Sequence, residues 1–139
     1  SEGARGVVND AELLERLGER GFERVQAESL DVTGQARLFA EAEVVLGPHG
    51  AGFSNIAFCR SGTQVVELFS AHMAPCFWTI SELTGLRHAV HFCGEADERT
   101  RPSDAERYHR SADERRRAPF HVELEPVMAL LDALGVDAR

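Results

Sequence analysis

The sequence predicts an α/β fold, a parallel sheet with helices on both faces, and three observations lead there. Helix-spaced and strand-like segments alternate along most of the chain, the pattern of strand–helix–strand crossovers. The runs VVL and QVVELF are short, β-branched and apolar, as strands buried inside a parallel sheet are. One such run stops at a glycine-rich turn that leads directly into the next helical segment, the place where open α/β sheets hold their ligands.

Each element has its own warrant. NDAELLERLGERGF carries Leu13, Leu14 and Leu17 at helical spacing, with Asn9 or Asp10 to cap its start and Gly21 to end it. FERVQA is a short strand candidate. DVTGQARLFAEA places Val32, Ala36, Phe39 and Ala40 on one helix face behind an Asp31 N-cap. EVVLG reads as a buried strand, AGFSNIAFC as a helix starting inside the glycine turn, and TQVVELF as a second buried strand. APCFWTISELTG is an amphipathic helix, LRHAVHFCG alternates as a strand, and EPVMALLDALG aligns Val127, Leu130, Leu131 and Leu134 along a final helix. The segment 95–119 interrupts this alternation. It holds seven arginines, many carboxylates and almost no apolar residues, so it reads as a solvated excursion, with a lid or an anion-gripping arm as the alternative.

A chain of 139 residues is long enough for one domain with its own core, and 43% apolar content excludes global disorder. A net charge of −8 argues against a nucleic-acid partner. It leaves room for a local anion pocket, because backbone N–H groups alone can build one. The three cysteines, Cys59, Cys76 and Cys93, are odd in number and widely spaced, so they make no disulfide framework and read as reduced thiols. The apolar runs are too short to span a bilayer and no charged-then-apolar leader opens the chain, so the expected location is cytoplasmic, with membrane association left open.

The turn itself, VVLGPHGAGFSN from Val44 to Asn55, is the candidate site. Free N–H groups at a helix start attract phosphate, and the glycines Gly47, Gly50 and Gly52 let the backbone approach an anion closely. The order is G-x-x-G-x-G, so it is neither the dinucleotide fingerprint nor a P-loop. On spacing alone, a phosphate site and a plain tight turn both remain open. His49 can donate to a phosphate oxygen or act near a leaving group; otherwise a local backbone carbonyl satisfies it. His72-x-x-x-Cys76 and His88-x-x-His91 lack the paired spacing of a zinc site, so no metal is expected. Cys76 and the Phe77-Trp78 pair read as core packing.

NDAELLERLGERGFERV followed by QARLFAEAEVVLGPHGAGFSNIAFCRSGTQVVELF resembles the carboxyl-terminal part of glycosyltransferase family 61, which contains plant β-1,2-xylosyltransferases, the EGF-domain O-linked N-acetylglucosamine transferase and bacterial capsule-type enzymes. Asn9, Gln35, the Gly47–Gly52 turn, Asn55, Phe58, Gly62 and Glu67-Leu68 carry the match, which runs from Arg5 to Phe69. The resemblance implies a Rossmann-like half of a two-domain (GT-B type) enzyme. It would bind a nucleotide-sugar donor, UDP-linked in most of the family, and transfer the sugar with inversion to a saccharide or protein acceptor without a metal. By that likeness, the N–H groups of Gly50, Ala51 and Gly52 would cradle the diphosphate. His49 would hydrogen-bond it and stabilise the departing nucleotide. Glu67 would accept from ribose hydroxyls, with a cap or salt bridge as its alternative; Arg5 would pair with phosphate or simply be solvated; and Asn55 would support the turn or touch the donor. The amino-terminal acceptor domain and its catalytic base are expected outside this sequence, and the edge they would cover favours a homodimer. The competing class is a non-catalytic nucleotide- or phosphate-binding module of the same fold.

Overall fold

A computed structural model describes residues 6–70, 73–95, 114 and 118–138. The expectations for Arg5 and His72, and most of those for the 95–119 excursion, lie outside these residues. The described residues group into two compact units. One unit is drawn from Ser1–Arg24, Ser70–His72 and Cys93–Arg139, the other from Val25–Phe69 and Met73–Phe92.

The second unit contains the sheet. Helix α2 (Val32–Glu41) leads into β1 (Val44–Pro48), a 3-10 helix (Ala51–Phe58), β2 (Gln64–Phe69), α3 (Cys76–Thr84) and β3 (Arg87–Phe92). The strands are parallel in the order β1-β2-β3, with Val45 beside Val65 and Val65 beside His88. Both crossovers step the same way across the sheet, so the right-handed rule puts the 3-10 helix and α3 on one face, where they pack on each other. Phe53, Ile56, Cys59, Val65, Phe77 and Leu86 form the core beneath them, with Phe39, Val45 and Ile80 at its margin. Central strand β2 is buried from Val65 to Phe69, whereas β1, expected to be buried, is only partly so because it is an edge strand.

Local chemistry explains the elements. Asp31 caps α2 by accepting from the Gly34 N–H at 2.7 Å, as expected. AGFSNIAF is a 3-10 helix and not the expected α-helix. Ser54 Oγ donates to the Ala51 carbonyl and Asn55 Nδ2 to the Gly52 carbonyl, and these i−3 bonds tighten the turn. FERVQA forms no strand: Val25 is 46% exposed, so the run has no buried face with which to join a sheet. LRHAVHFCG is a strand only as far as Phe92.

In the first unit, α1 (Asp10–Gly18) packs on α4 (Leu124–Ala133), and β4 (Gly94–Glu95) pairs antiparallel with β5 (Phe120–His121). Asn9 does not cap α1 with its side chain. Its amide instead donates to the Val122 carbonyl at 2.8 Å and accepts the Val122 N–H at 3.0 Å, joining two segments 113 residues apart. Val127, Met128 and Leu131 are the buried residues of α4, so Met128 takes a place expected for Leu130 or Leu134. Among the described residues no helix is long and apolar enough to cross a membrane.

Candidate functional site

Alternation along β2 sends Val65, Glu67 and Phe69 to the helix-covered face, since Val65 belongs to the core beneath the helices. Register places His88 opposite Val65 and Phe92 opposite Phe69, so all five residues share that face. An ionisable residue therefore sits in the middle of a buried central strand, where an unpaired carboxylate would be costly. Glu67 is 1% exposed, and both of its oxygens are engaged: Oε2 by His49 Nδ1 at 2.6 Å and Oε1 by His88 Nε2 at 2.9 Å. Ser81 Oγ, fully buried on α3, lies 2.6 Å from His88 Nδ1.

His49 is held from several sides. Its backbone N–H donates to the Leu68 carbonyl at 2.9 Å, extending the β1–β2 pairing into the turn. Phe69 stacks on its ring at a centroid distance of 5.0 Å and Phe77 approaches at 5.0 Å and 53°. The imidazole is 14% exposed, at the carboxyl ends of β1 and β2. Such a ring is oriented by its surroundings and only slightly open to solvent. The imidazole has a carboxylate partner.

The glycines separate into two kinds. A Cβ on Gly47 would stand 3.1 Å from Phe53 Cε2, so the packing of a core ring by itself calls for a small residue there. A Cβ on Gly52 would meet nothing within 4 Å, and its φ is not in the left-handed region. Neither internal packing nor backbone conformation calls for glycine at that position. Ala51 and Gly52 are exposed at the start of the 3-10 helix, where the first N–H groups have no partner within the helix. Asn55 joins the 3-10 helix to α2 through Gln35 Oε1 at 3.0 Å, the turn-supporting role.

Glu67 is buried between two imidazoles, an arrangement of the salt-bridge kind that stood as the alternative to a ribose contact. His88 and His91 stand three apart on one strand and so project to opposite faces, which separates the pair noted in sequence. Phe77 is core, as expected. Trp78 is 47% exposed and rests beside the His88 ring at 5.5 Å, and Cys76 is exposed at the start of α3; both depart from the core role expected for them. Sequence reasoning missed His88 and Ser81 as members of the site. Period-2 alternation put His88 on one face or the other, but only the register brought it beside Glu67.

Residues 1–66 match the model of the family described as Glycosyltransferase 61. The chain is also similar to the EGF domain-specific O-linked N-acetylglucosamine transferase of Drosophila melanogaster, 29% identical over 87 residues, which cover 60% of this chain and 17% of that protein. The family match spans α2, β1, the glycine turn and the 3-10 helix and ends one residue before Glu67, so it contains His49 and the whole N–H array beside it. Both likenesses are to glycosyltransferases, and residues 1–66 resemble glycosyltransferase family 61.

Proposed function

We propose that this chain forms the donor-nucleotide end of an inverting glycosyltransferase, which takes a UDP-linked sugar and passes it to a saccharide or protein acceptor. The observation that carries the reading is the 2.6 Å bond between His49 Nδ1 and Glu67 Oε2 at the carboxyl ends of two neighbouring parallel strands. A buried carboxylate that fixes an imidazole beside an exposed, glycine-containing helix start is an arrangement suited to a diphosphate.

The chemistry follows from charge. When the anomeric C–O bond to the diphosphate breaks, its electron pair goes to the leaving oxygen and negative charge builds there. The N–H groups of Gly50, Ala51 and Gly52 and the His49 ring are preorganised donors for that charge. With Nδ1 committed to Glu67, contact with the diphosphate falls to Nε2. The acceptor hydroxyl and the base that takes its proton are assigned to parts of the protein beyond this chain, in the manner of a cleft between two halves. This assignment involves no metal.

Titration of the ¹⁵N-labelled chain with UDP and with UDP-N-acetylglucosamine tests the reading. Amide shifts are expected at residues 47–55, and His49→Ala should weaken binding by about 1–2 kcal/mol, the scale of one hydrogen bond to a charged group. Shifts confined to other parts of the chain, or an affinity indifferent to His49→Ala, would refute it.

A further inference from the structure

Behind His49 lies a chain of buried polar groups that extends well past what a diphosphate contact requires. It runs from His49 on the turn to Glu67 on β2, His88 on β3 and Ser81 on α3. Glu67 and the His88 imidazole are each 1% exposed, and Ser81 is fully buried. A seryl group and a second histidine inside an apolar core are costly unless every polar atom is matched, so their presence calls for a physical account.

The directions of the hydrogen bonds can be assigned from the donor inventory. The Glu67 carboxylate can only accept, so the His88 ring proton resides on Nε2 and is donated to Oε1. In the neutral ring His88 Nδ1 is then an acceptor, and the Ser81 hydroxyl donates to it. The bond from His88 Nε2 takes up one oxygen of the carboxylate and fixes the rotation of the group. Oε2 is thereby left to receive the proton on His49 Nδ1. The bonds are mutually consistent, and together they specify which nitrogen of His49 is protonated.

We propose that Ser81 and His88 are positioning residues for His49: Ser81 selects the Nε2–H tautomer of His88, His88 sets the Glu67 carboxylate, and Glu67 holds His49 as the Nδ1–H tautomer, so that Nε2 is the nitrogen that meets the donor. This rests on the donor reading for what Nε2 meets, but not for the tautomer, which is a property of the chain without ligand. The proposal separates two jobs that a buried network could have. In a network that only fills and ties the core, the Glu67 carboxylate alone would hold His49 as the Nδ1–H tautomer whatever Ser81 and His88 do. In a network that transmits direction, changing Ser81 or His88 would alter the His49 tautomer.

The experiment is ¹⁵N NMR of the histidine ring nitrogens in the full 139-residue chain, with Ser81→Ala, His88→Leu and His88→Gln beside the unmodified protein, and UDP affinity measured on each. The unmodified chain should show His49 as the Nδ1–H tautomer. Ser81→Ala removes a single hydroxyl and frees His88 to adopt either tautomer; His88→Leu removes the donor to Glu67. Both should convert the His49 nitrogen shifts to those of a tautomer mixture and weaken UDP binding about threefold to tenfold, the range of one weakened hydrogen bond. His88→Gln places an amide N–H near the position of Nε2 and should restore the Nδ1–H signature. If His88→Leu does not fold, Ser81→Ala and His88→Gln decide the matter. His49 shifts identical in the folded Ser81→Ala and unmodified chains overturn the proposal, as does an Nε2–H tautomer in the unmodified chain. Failure of UDP to bind a chain with the expected tautomer refutes the donor reading instead and leaves the positioning series standing.

Discussion

Replacing Glu67 tests the site through stability alone. In Glu67→Gln the volume is kept, but two hydrogen bonds to a charged acceptor become two neutral ones, with the His88 ring and the Ser81 hydroxyl turning to suit. Bonds to a charged group contribute about 1.5–3 kcal/mol each and neutral ones about 0.5–1.5, so the exchange costs on the order of 2–3 kcal/mol. Relief of the burial cost of an ionised carboxylate offsets part of this and leaves a loss of about 1–2 kcal/mol. At the usual unfolding entropy per residue, a chain of this length then loses about 3–7 °C in Tm. Glu67→Leu removes the acceptor outright and strands two imidazole N–H groups in the core, which should cost about 3–5 kcal/mol. Thermal unfolding followed by far-UV circular dichroism should therefore rank the unmodified chain above Glu67→Gln, and Glu67→Gln above Glu67→Leu. A Glu67→Leu chain as stable as the unmodified one would refute the reasoning, because the carboxylate would then not hold the two rings.

Three further outcomes follow from other parts of the molecule. Gly52→Ala meets no neighbour within 4 Å and no left-handed backbone, so the melting temperature should hold or rise slightly while UDP affinity falls; equal loss of both would make Gly52 a structural glycine. Asn9→Ala leaves the Val122 N–H and carbonyl without their partner and should lower stability by about 2–3 kcal/mol in urea unfolding, whereas a change below about 0.5 kcal/mol would remove the joining role assigned to it. Burial pushes the Cys59 thiol up to about 11, and burial followed by the nearby Glu123 carboxylate pushes Cys93 up to about 12. Iodoacetamide at pH 8 should therefore label exposed Cys76 first. The raised values also set a sign: above pH 9 the unfolded chain loses these protons first, so stability should fall as pH rises from 9 towards 11. Equal labelling of the three cysteines by peptide mass spectrometry, or a flat alkaline stability profile, would contradict this.

What the sequence by itself determined is what local spacing controls. Asp31 with an apolar stripe behind it specified α2 and its cap, and the β-branched runs specified β1 and β2, because capping and burial patterns act over a few residues. The glycine turn and His49 were legible for the same reason, with Glu67 recognisable as an acidic residue of the following strand, although it lies within that strand and not at its end. Tertiary structure decided the rest. Whether AGFSNIAF winds as an α-helix or a 3-10 helix depended on side chains returning to carbonyls three residues back. That a core ring packs on Gly47 depended on where Phe53 came to rest. The partnership of His49, Glu67, His88 and Ser81 joins four elements through strand register and the placement of α3. Register is a choice among alignments that differ by whole residues, and it is settled by the packing of the entire face and not by any one segment. A buried carboxylate can therefore be read from the chain as an acid in a strand, while the two rings that hold it are known only once the strands are side by side.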